Sequence, residues 1–349
     1  MRNEEIFDVT IIGAGPAGLY GAFYSGLRDL KTKIIEFQPY LGGKINIYPE
    51  KMLWDVGGHA PASGGKMIEN LTKQAKMFDP TIVLNEKVIT IEKNQDDLFV
   101  LETNVGRKHY SKTVITATGT GIIKPQKLDV VGAEKYELSN LNYTVSSFEA
   151  FRDKVVLISG AGNSAIDWAN ELEPIAKGVY LVCRKDCLSC HEASANQLFA
   201  SSASCLFETD IHALIAGAEH ERIKEVELRN KQNGQLFRIP VDEVLINHGF
   251  ERDASLIEES ALAVEIEDNF IKGNAFGESN IPGFYAIGDV LRYDGKLNLI
   301  AGAFQDAANA VNRAKLWITP DATPRAMVSS HNEKFKERNQ ALITHPKKG

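Results

Sequence analysis

Apolar residues fall in short unbroken runs that alternate with longer stretches of helical spacing. The first run, Phe7 to Ile12, predicts a buried strand, and a helical pattern follows from Leu19 to Leu27. Lys33 to Glu36 is the next strand. The order then recurs. Lys154 to Ser159 predicts a strand, a helix runs toward Leu172 and stops near Pro174, and Val179 to Val182 is a strand again. Between these halves a helix is expected from about Lys66 to Phe78. Short strands near 82–85, 88–93, 98–103 and 107–117 suggest a small antiparallel layer. Further on, Glu225 to Arg229 and Gln235 to Ile239 flank Asn233-Gly234, a hairpin signal, and Val241 to Asn247 is another strand. Gly283 to Ile287 is a last strand, followed by a helix from about Ala301 to Leu316. The alternation predicts an α/β protein with two Rossmann-like, three-layer dinucleotide-binding domains.

The first strand runs into Gly13-Ala14-Gly15-Pro16-Ala17-Gly18, a GxGxxG turn between strand and helix. Gly13 permits the sharp turn, Gly15 the approach of a pyrophosphate, and Gly18 close helix–strand packing. Phosphates then meet the positive end of the helix. Glu36, at the end of the next strand, stands where an acid accepts bonds from an adenosine ribose.

The second copy, Gly160-Ala161-Gly162-Asn163-Ser164-Ala165, has alanine third, which still allows close packing. Its following strand ends in Cys183-Arg184-Lys185 instead of an acid. Arg184 and Lys185 would attract a 2′-phosphate, so this site fits NADP better than NAD. Two nucleotide sites in one chain suggest electron transfer between two cofactors. Far downstream, Gly288-Asp289 closes a strand, where an acid can bind a ribityl hydroxyl and the next helix N-terminus can face a flavin's pyrimidine edge. The first domain is therefore expected to be split, with the turn at 116–121 as a hinge.

Composition narrows the function classes. The 349 residues suggest about two domains, and 44% hydrophobic with 24% charged residues is ordinary globular composition. A net charge of −7 argues against nucleic-acid binding. No apolar run approaches the roughly 18 residues that span a bilayer, and the acidic start does not read as a signal peptide. A cytoplasmic protein without a membrane partner is the expectation. The four cysteines, Cys183, Cys187, Cys190 and Cys205, are too local to form a disulfide framework, and their spacing matches no zinc pattern. The polar stretch from Ser329 onward reads as a tail whose end is mobile.

The order GAGPAG, ATG, GAGNSA and GDV resembles the two-dinucleotide-domain flavoproteins typified by thioredoxin reductase. It is more similar to one branch, the thioredoxin-reductase-like ferredoxin/flavodoxin–NADP+ reductases. LGGKINIYPEKMLWDVGG (41–58), GNSAIDWANELEPIAKGVYLVCRKD (162–186), INHGF (246–250) and YAIGDVLRYDGKLNLIAGAF (285–304) carry that similarity. The resemblance implies a homodimer with tightly bound FAD that transfers electrons between NADPH and ferredoxin or flavodoxin. It implies an FAD-binding domain over 1–119 and 284–349 and an NADP(H)-binding domain over 120–283. Glu36 would bind the adenosine ribose and Asp289 the ribityl chain, with Gly43, Lys44, Val88, Thr118, Gly119 and Ile123 also in the FAD site. Tyr48 would stack on one flavin face, and His331 on the other face across the dimer. The flavin would carry the electrons, so no acid–base residue is expected to be catalytic and no metal is implied.

The chain departs from the family pattern at several points. Lys44 replaces a usual Gln, Ile123 a common Phe, and Asn332-Glu333 a usual Ser-Thr pair. Of the basic residues common at the second site, one is kept as Arg184 and one becomes Lys185, which lacks arginine's bidentate fork. Thioredoxin reductases carry a CxxC just before the second glycine turn; residues 121–159 here hold no cysteine. Electrons must then leave the flavin singly, to an iron–sulfur or flavin protein. Two other readings stay open. Cys187 and Cys190 would serve a flavin-dependent disulfide reductase or oxidase, with a donor other than NADPH conceivable, or the chain is a flavin-binding sensor without a working second site.

Overall fold

The structure of the protein is a computed structural model. It describes residues 5–217, 221–253, 256, 262–327, 331–336 and 339–340, with only the backbone described at 122, 123, 252, 253 and 334.

Strand β1 (Ile6–Ile12) lies at the centre of a sheet and buries Val9 through Ile12. Helix α1 (Pro16–Leu27) follows at once. It begins three residues earlier than the apolar spacing suggested, because proline tolerates the first helical position, where an N–H would lack a partner anyway. Strand β2 (Thr32–Ile35) pairs in parallel with β1. Helix α2 (Gly64–Ala75) is capped by Ser63, whose Oγ accepts from Lys66 N at 3.3 Å. Strands β3 (Thr81–Val83), β4 (Val88–Lys93), β5 (Phe99–Thr103) and β6 (Lys108–Thr116) complete the order β3-β2-β1-β6-β5-β4. The run near 82–85, expected in the antiparallel layer, instead pairs in parallel with β2 as β3. The nine residues of β6 explain the mixture. Its first half pairs antiparallel with β5, while its length runs parallel to β1.

Strand β7 (Ile122–Pro125) carries the chain out of this sheet. The second unit holds β8 (Leu141–Asn142), β9 (Val155–Ser159), α3 (Asn163–Leu172), β10 (Gly178–Val182), α4 (Glu192–Ala200) and β11 (Ser204–Leu206). A meander of β12 (Thr209–Ala216), β13 (Ile223–Asn230) and β14 (Leu236–Pro240) follows, then β15 (Glu243–Ile246). The main sheet here is fully parallel, in the order β8-β15-β9-β10-β11. The Asn233-Gly234 hairpin forms between β13 and β14. Strand β12 escaped the sequence pattern because register shifts at Ile211/Ala213 and Ile215/Ala216 break its alternation.

The chain returns through β16 (Phe250–Asp253), paired antiparallel with β7, so a two-stranded ribbon joins the units. Then come β17 (Ile266–Glu267), β18 (Phe270–Lys272), β19 (Phe284–Ala286), β20 (Leu291–Arg292) and α5 (Ile300–Ile318). Strand β19 adds to the first sheet beside β6, and β18 pairs with β20. Ile271 is buried with Phe99 and Phe284 in the first unit's core. Residues 262–283, which the sequence division assigned to the second unit, thus pack with the first. Of their short strands, β18 buries Ile271 in that core and pairs with β20, while β17 stays exposed.

The first core lies between α1, α5 and the sheet. Ile11, Ile34 and Ile115 are fully buried there, each contributing about 2 kcal/mol. Two further clusters fill the second unit. No helix among the described residues is long and apolar enough to cross a membrane. In the C-terminal stretch, Phe335 lies 5.8 Å from the Phe78 ring; the expected mobile end falls outside the described residues.

Candidate functional site

The first glycine turn opens onto a cavity of about 990 Å³ that reaches from the β1–α1 turn to the junction of the two units. Its glycines do different work. Gly13 has φ +102°, and a Cβ there would lie 2.6 Å from the Ala117 carbonyl oxygen. A Cβ at Gly18 would lie 2.0 Å from the Gly13 oxygen, so this glycine serves helix packing and does not line the cavity. At Gly15 the nearest atom to an added Cβ is Gly43 Cα, at 3.8 Å. The protein's own packing leaves that space open. Gly15 is also the N-cap of α1, which has no side-chain cap and no acid in its first turn, so its first N–H groups are free to bind an anion.

Pro16, Ala17, Gly43, Lys44 and Val88 line the same cavity, as do Thr118 and Gly119 in the turn after β6. Gly119 has nothing within 4 Å of an added Cβ. Glu36 is buried. Its Oε2 accepts from Ala14 N at 2.7 Å and its Oε1 from Gln38 N at 2.9 Å. Burial pushes its carboxyl up, while those amides pull it down. At the other end stand Tyr48 and Asp289. Burial, then Asp289 and Asp55, push the Tyr48 phenol up, which places all three groups around one space. Leu299, Ile300 and Ala303, at the start of α5, line it too. That helix also has no side-chain cap and no acid in its first turn. Two bare helix N-termini, the carboxylates of Glu36 and Asp289 and an open glycine cradle fit a dinucleotide with a planar ring system and a pyrophosphate.

Two residues expected here are not shown in this cavity. The Ile123 side chain lies outside the described ones, although Lys124 and Pro125 beside it line the cavity. His331 is exposed and is not part of the lining. The start of α5, expected from the sequence to face this site, lines the cavity; Asp55 was missed in the sequence, although it lies inside the segment that carried the resemblance. Asp306 was missed as well, despite being a lone acid on the apolar stripe of Ala303, Ala307 and Ala310.

The second glycine turn repeats the first. A Cβ at Gly160 would lie 2.5 Å from the Asn247 carbonyl oxygen, whereas Gly162 has nothing within 4 Å. Gly162 is the N-cap of α3, which again has no acid in its first turn; Ala165 is buried, and Asn163 and Ser164 are exposed. Arg184 and Lys185 stand exposed beyond β10. The loop between them and α4 docks on this turn, with Ser189 N donating to Ala161 O at 2.7 Å and His191 N to Asn163 Oδ1 at 2.9 Å. None of these residues lines the first cavity.

The cysteines cluster beside this second turn. Burial pushes the Cys183 thiol up to about 12, a hydrogen bond with Asp186 pushes Cys187 up, and burial raises Cys205. These surroundings disfavour thiolates. No group of three His, Cys, Asp or Glu fit to hold a metal occurs among the described residues.

Residues 7–314 match the family described as pyridine nucleotide-disulphide oxidoreductase. The chain is 62% identical over 344 residues to ferredoxin–NADP reductase 1 of Bacillus mycoides (strain KBAB4), covering 98% of this chain and 99% of that one. It is 58% identical to ferredoxin–NADP reductase 2 of Exiguobacterium sibiricum, covering 98% of each. Among solved structures, Lactococcus lactis thioredoxin reductase in its FR conformation superposes with a TM-score of 0.69 at 24% identity, covering 90% of this chain and 99% of that one. That likeness shows the shared fold. Sequence, cavity and relatives agree: the chain belongs to the pyridine nucleotide-disulphide oxidoreductases and, within them, to the ferredoxin–NADP reductases.

Proposed function

We propose that this oxidoreductase moves electrons between NADPH and ferredoxin or flavodoxin through an FAD seated in the cavity of about 990 Å³. The flavin supplies the chemistry that links a two-electron hydride donor to one-electron protein acceptors. The chain binds and orients. The α1 N-terminus with Gly15 receives the pyrophosphate, Glu36 the adenosine ribose and Asp289 the ribityl chain. Tyr48 offers a ring face for stacking. The α5 N-terminus stabilises negative charge at the pyrimidine edge. In the second unit, Gly162 and the start of α3 receive the pyrophosphate of NADPH, and Arg184 and Lys185 its 2′-phosphate.

The observation that carries this reading is the distribution of sulfur. No cysteine lines the cavity; the four thiols sit beside the other nucleotide turn, and the surroundings of Cys183, Cys187 and Cys205 disfavour thiolates. A dithiol relay from flavin to a disulfide substrate has no supporting geometry.

The same proposal includes a cytoplasmic homodimer in which His331 covers the partner's flavin. The FAD domain and the NADP(H) domain exchange at the β7/β16 ribbon, with 262–283 counted in the FAD domain. Anaerobic titration with NADPH should bleach the flavin absorbance and reduce added ferredoxin, with cytochrome c as terminal acceptor. Replacing Arg184 and Lys185 by Ala should raise KM for NADPH about tenfold or more and leave KM for NADH unchanged. Reduction of a disulfide substrate in place of any one-electron acceptor would refute the proposal.

A further inference from the structure

Between Gly288-Asp289 and helix α5 the chain makes a loop that the glycine turns do not explain. Both of its ends line the cavity, Asp289 at one and Leu299 with Ile300 at the other. Its middle is tied to a single side chain. Asp306, two turns into α5, accepts from Gly288 N at 3.1 Å and from Lys296 Nζ at 2.5 Å through Oδ2, and from Tyr293 Oη at 3.0 Å through Oδ1. The ion pair is nearly sealed from water, with side-chain exposures of 5% for Lys296 and 1% for Asp306. Such a pair is retained only when its geometry is held and its remaining hydrogen-bonding sites are filled. Here three donors from three points of one loop converge on one carboxylate.

The loop's path demands that anchor. Gly302 lies where an added Cβ would come within 2.3 Å of the Leu297 carbonyl oxygen, so the loop folds directly onto the first turn of α5. Gly295 takes φ +79° at the turn, and Lys296 N closes it on Tyr293 O at 3.3 Å. Burial and then the neighbouring Asp306 push the Tyr293 phenol up to about 12, as expected of a phenol that donates to a carboxylate. None of Tyr293, Lys296 and Asp306 lines the cavity.

We propose that Asp306 is a positioning residue for the flavin. It holds the loop at Gly288 and, through Tyr293 and Lys296, at its middle, so that the Asp289 carboxylate and the α5 N–H groups face the ribityl chain and the pyrimidine edge together. It also neutralises Lys296 behind them. This rests on the reading that the cavity holds FAD. An Asp306→Asn substitution keeps an acceptor for Gly288 but cannot satisfy all three donors, and it leaves the Lys296 ammonium uncompensated near the flavin. A positive charge there favours the reduced, more negative flavin.

The test uses the holoenzyme. FAD affinity is read from flavin fluorescence released on dilution, and the midpoint potential from equilibration with a reference dye. Asp306→Asn should weaken FAD retention about tenfold or more and make the potential less negative. Adding Lys296→Met to Asp306→Asn should return the potential toward the parent value, a reversal that general destabilisation would not produce. Tyr293→Phe, which removes one hydroxyl and leaves both charges, should weaken retention by roughly three- to tenfold with the potential nearly unchanged. Parental retention and potential in Asp306→Asn would overturn the proposal. If that variant is not recovered folded, parental retention in Tyr293→Phe would overturn it alone. The parent's own flavin content separates the two questions, since a parent that never holds flavin fails the cofactor reading, while a yellow parent with indifferent variants fails only this one.

Discussion

Gly15 and Gly18 sit three positions apart in one turn and are glycine for opposite reasons. At Gly18 the protein itself forbids a side chain, because a Cβ would lie 2.0 Å from the Gly13 carbonyl oxygen. At Gly15 only a ligand forbids it, because the protein leaves the space open. Gly18→Ala should therefore destabilise the fold by on the order of 3 kcal/mol, read as lost thermal stability in the flavin-free and the loaded protein alike. Gly15→Ala should leave flavin-free stability within about 1 kcal/mol of the parent and weaken FAD retention at least about tenfold. Equal losses of stability in both variants would contradict this division. The division of roles among these glycines was legible in the sequence; how tightly each is constrained was not, because that depends on the approach of Gly13 O to Gly18 and of Gly43, distant in the chain, to Gly15.

At the scale of elements, the helices that serve the site are held differently. Helix α1 begins on a glycine with no side-chain cap, which leaves its first N–H groups for the proposed phosphate. Helix α2 has no such duty and takes an ordinary cap from Ser63. Ser63→Ala should cost about 1 kcal/mol, seen in denaturant unfolding, with flavin binding unchanged. The reading of elements from periodicity succeeded where a run was buried on both faces, as in β1 and β9, or where a helix had a clear apolar stripe, as in α5. It failed at β12, where bulges break the alternation, and it misplaced β3, because whether a short apolar run pairs parallel or antiparallel is decided by its neighbours and not by its own residues. Asp306 shows the same limit. A charge in an alanine stripe was visible, but its meaning needed Tyr293 and Lys296 folded onto it.

At the scale of the molecule, the two units touch beside the cavity wall that holds Tyr48. Lys51, three residues after Tyr48, reaches Asp167 at 3.2 Å and Glu171 at 3.5 Å on α3 and lies 4.8 Å from the Trp168 ring. Thr144 Oγ1 donates to the Ile47 carbonyl nearby. Burial pushes the Glu171 carboxyl up and Lys51 pulls it back. A carboxyl raised in the folded state favours folding most when protonated, and that contribution is lost as pH rises through its folded value. Lys51→Met removes the cation that makes the ionised form tolerable. It should cost about 1 kcal/mol at pH 7.5, after allowance for solvent screening, and distinctly less at pH 5. Melting temperatures at the two pH values decide it, and an equal or larger loss at pH 5 would show that the ion pair is not what matters at this contact.

The sequence alone determined the two glycine turns, the acid after β2, the Gly288-Asp289 pair and the family. Each of these is a local pattern whose chemistry lies in residues close together along the chain. Only the tertiary structure decided where the chain crosses back between units, how much room each glycine leaves, and that Asp306 gathers a loop from three sides. Those depend on atoms brought together from far apart in the chain, where burial and close approach, rather than residue type, set the outcome.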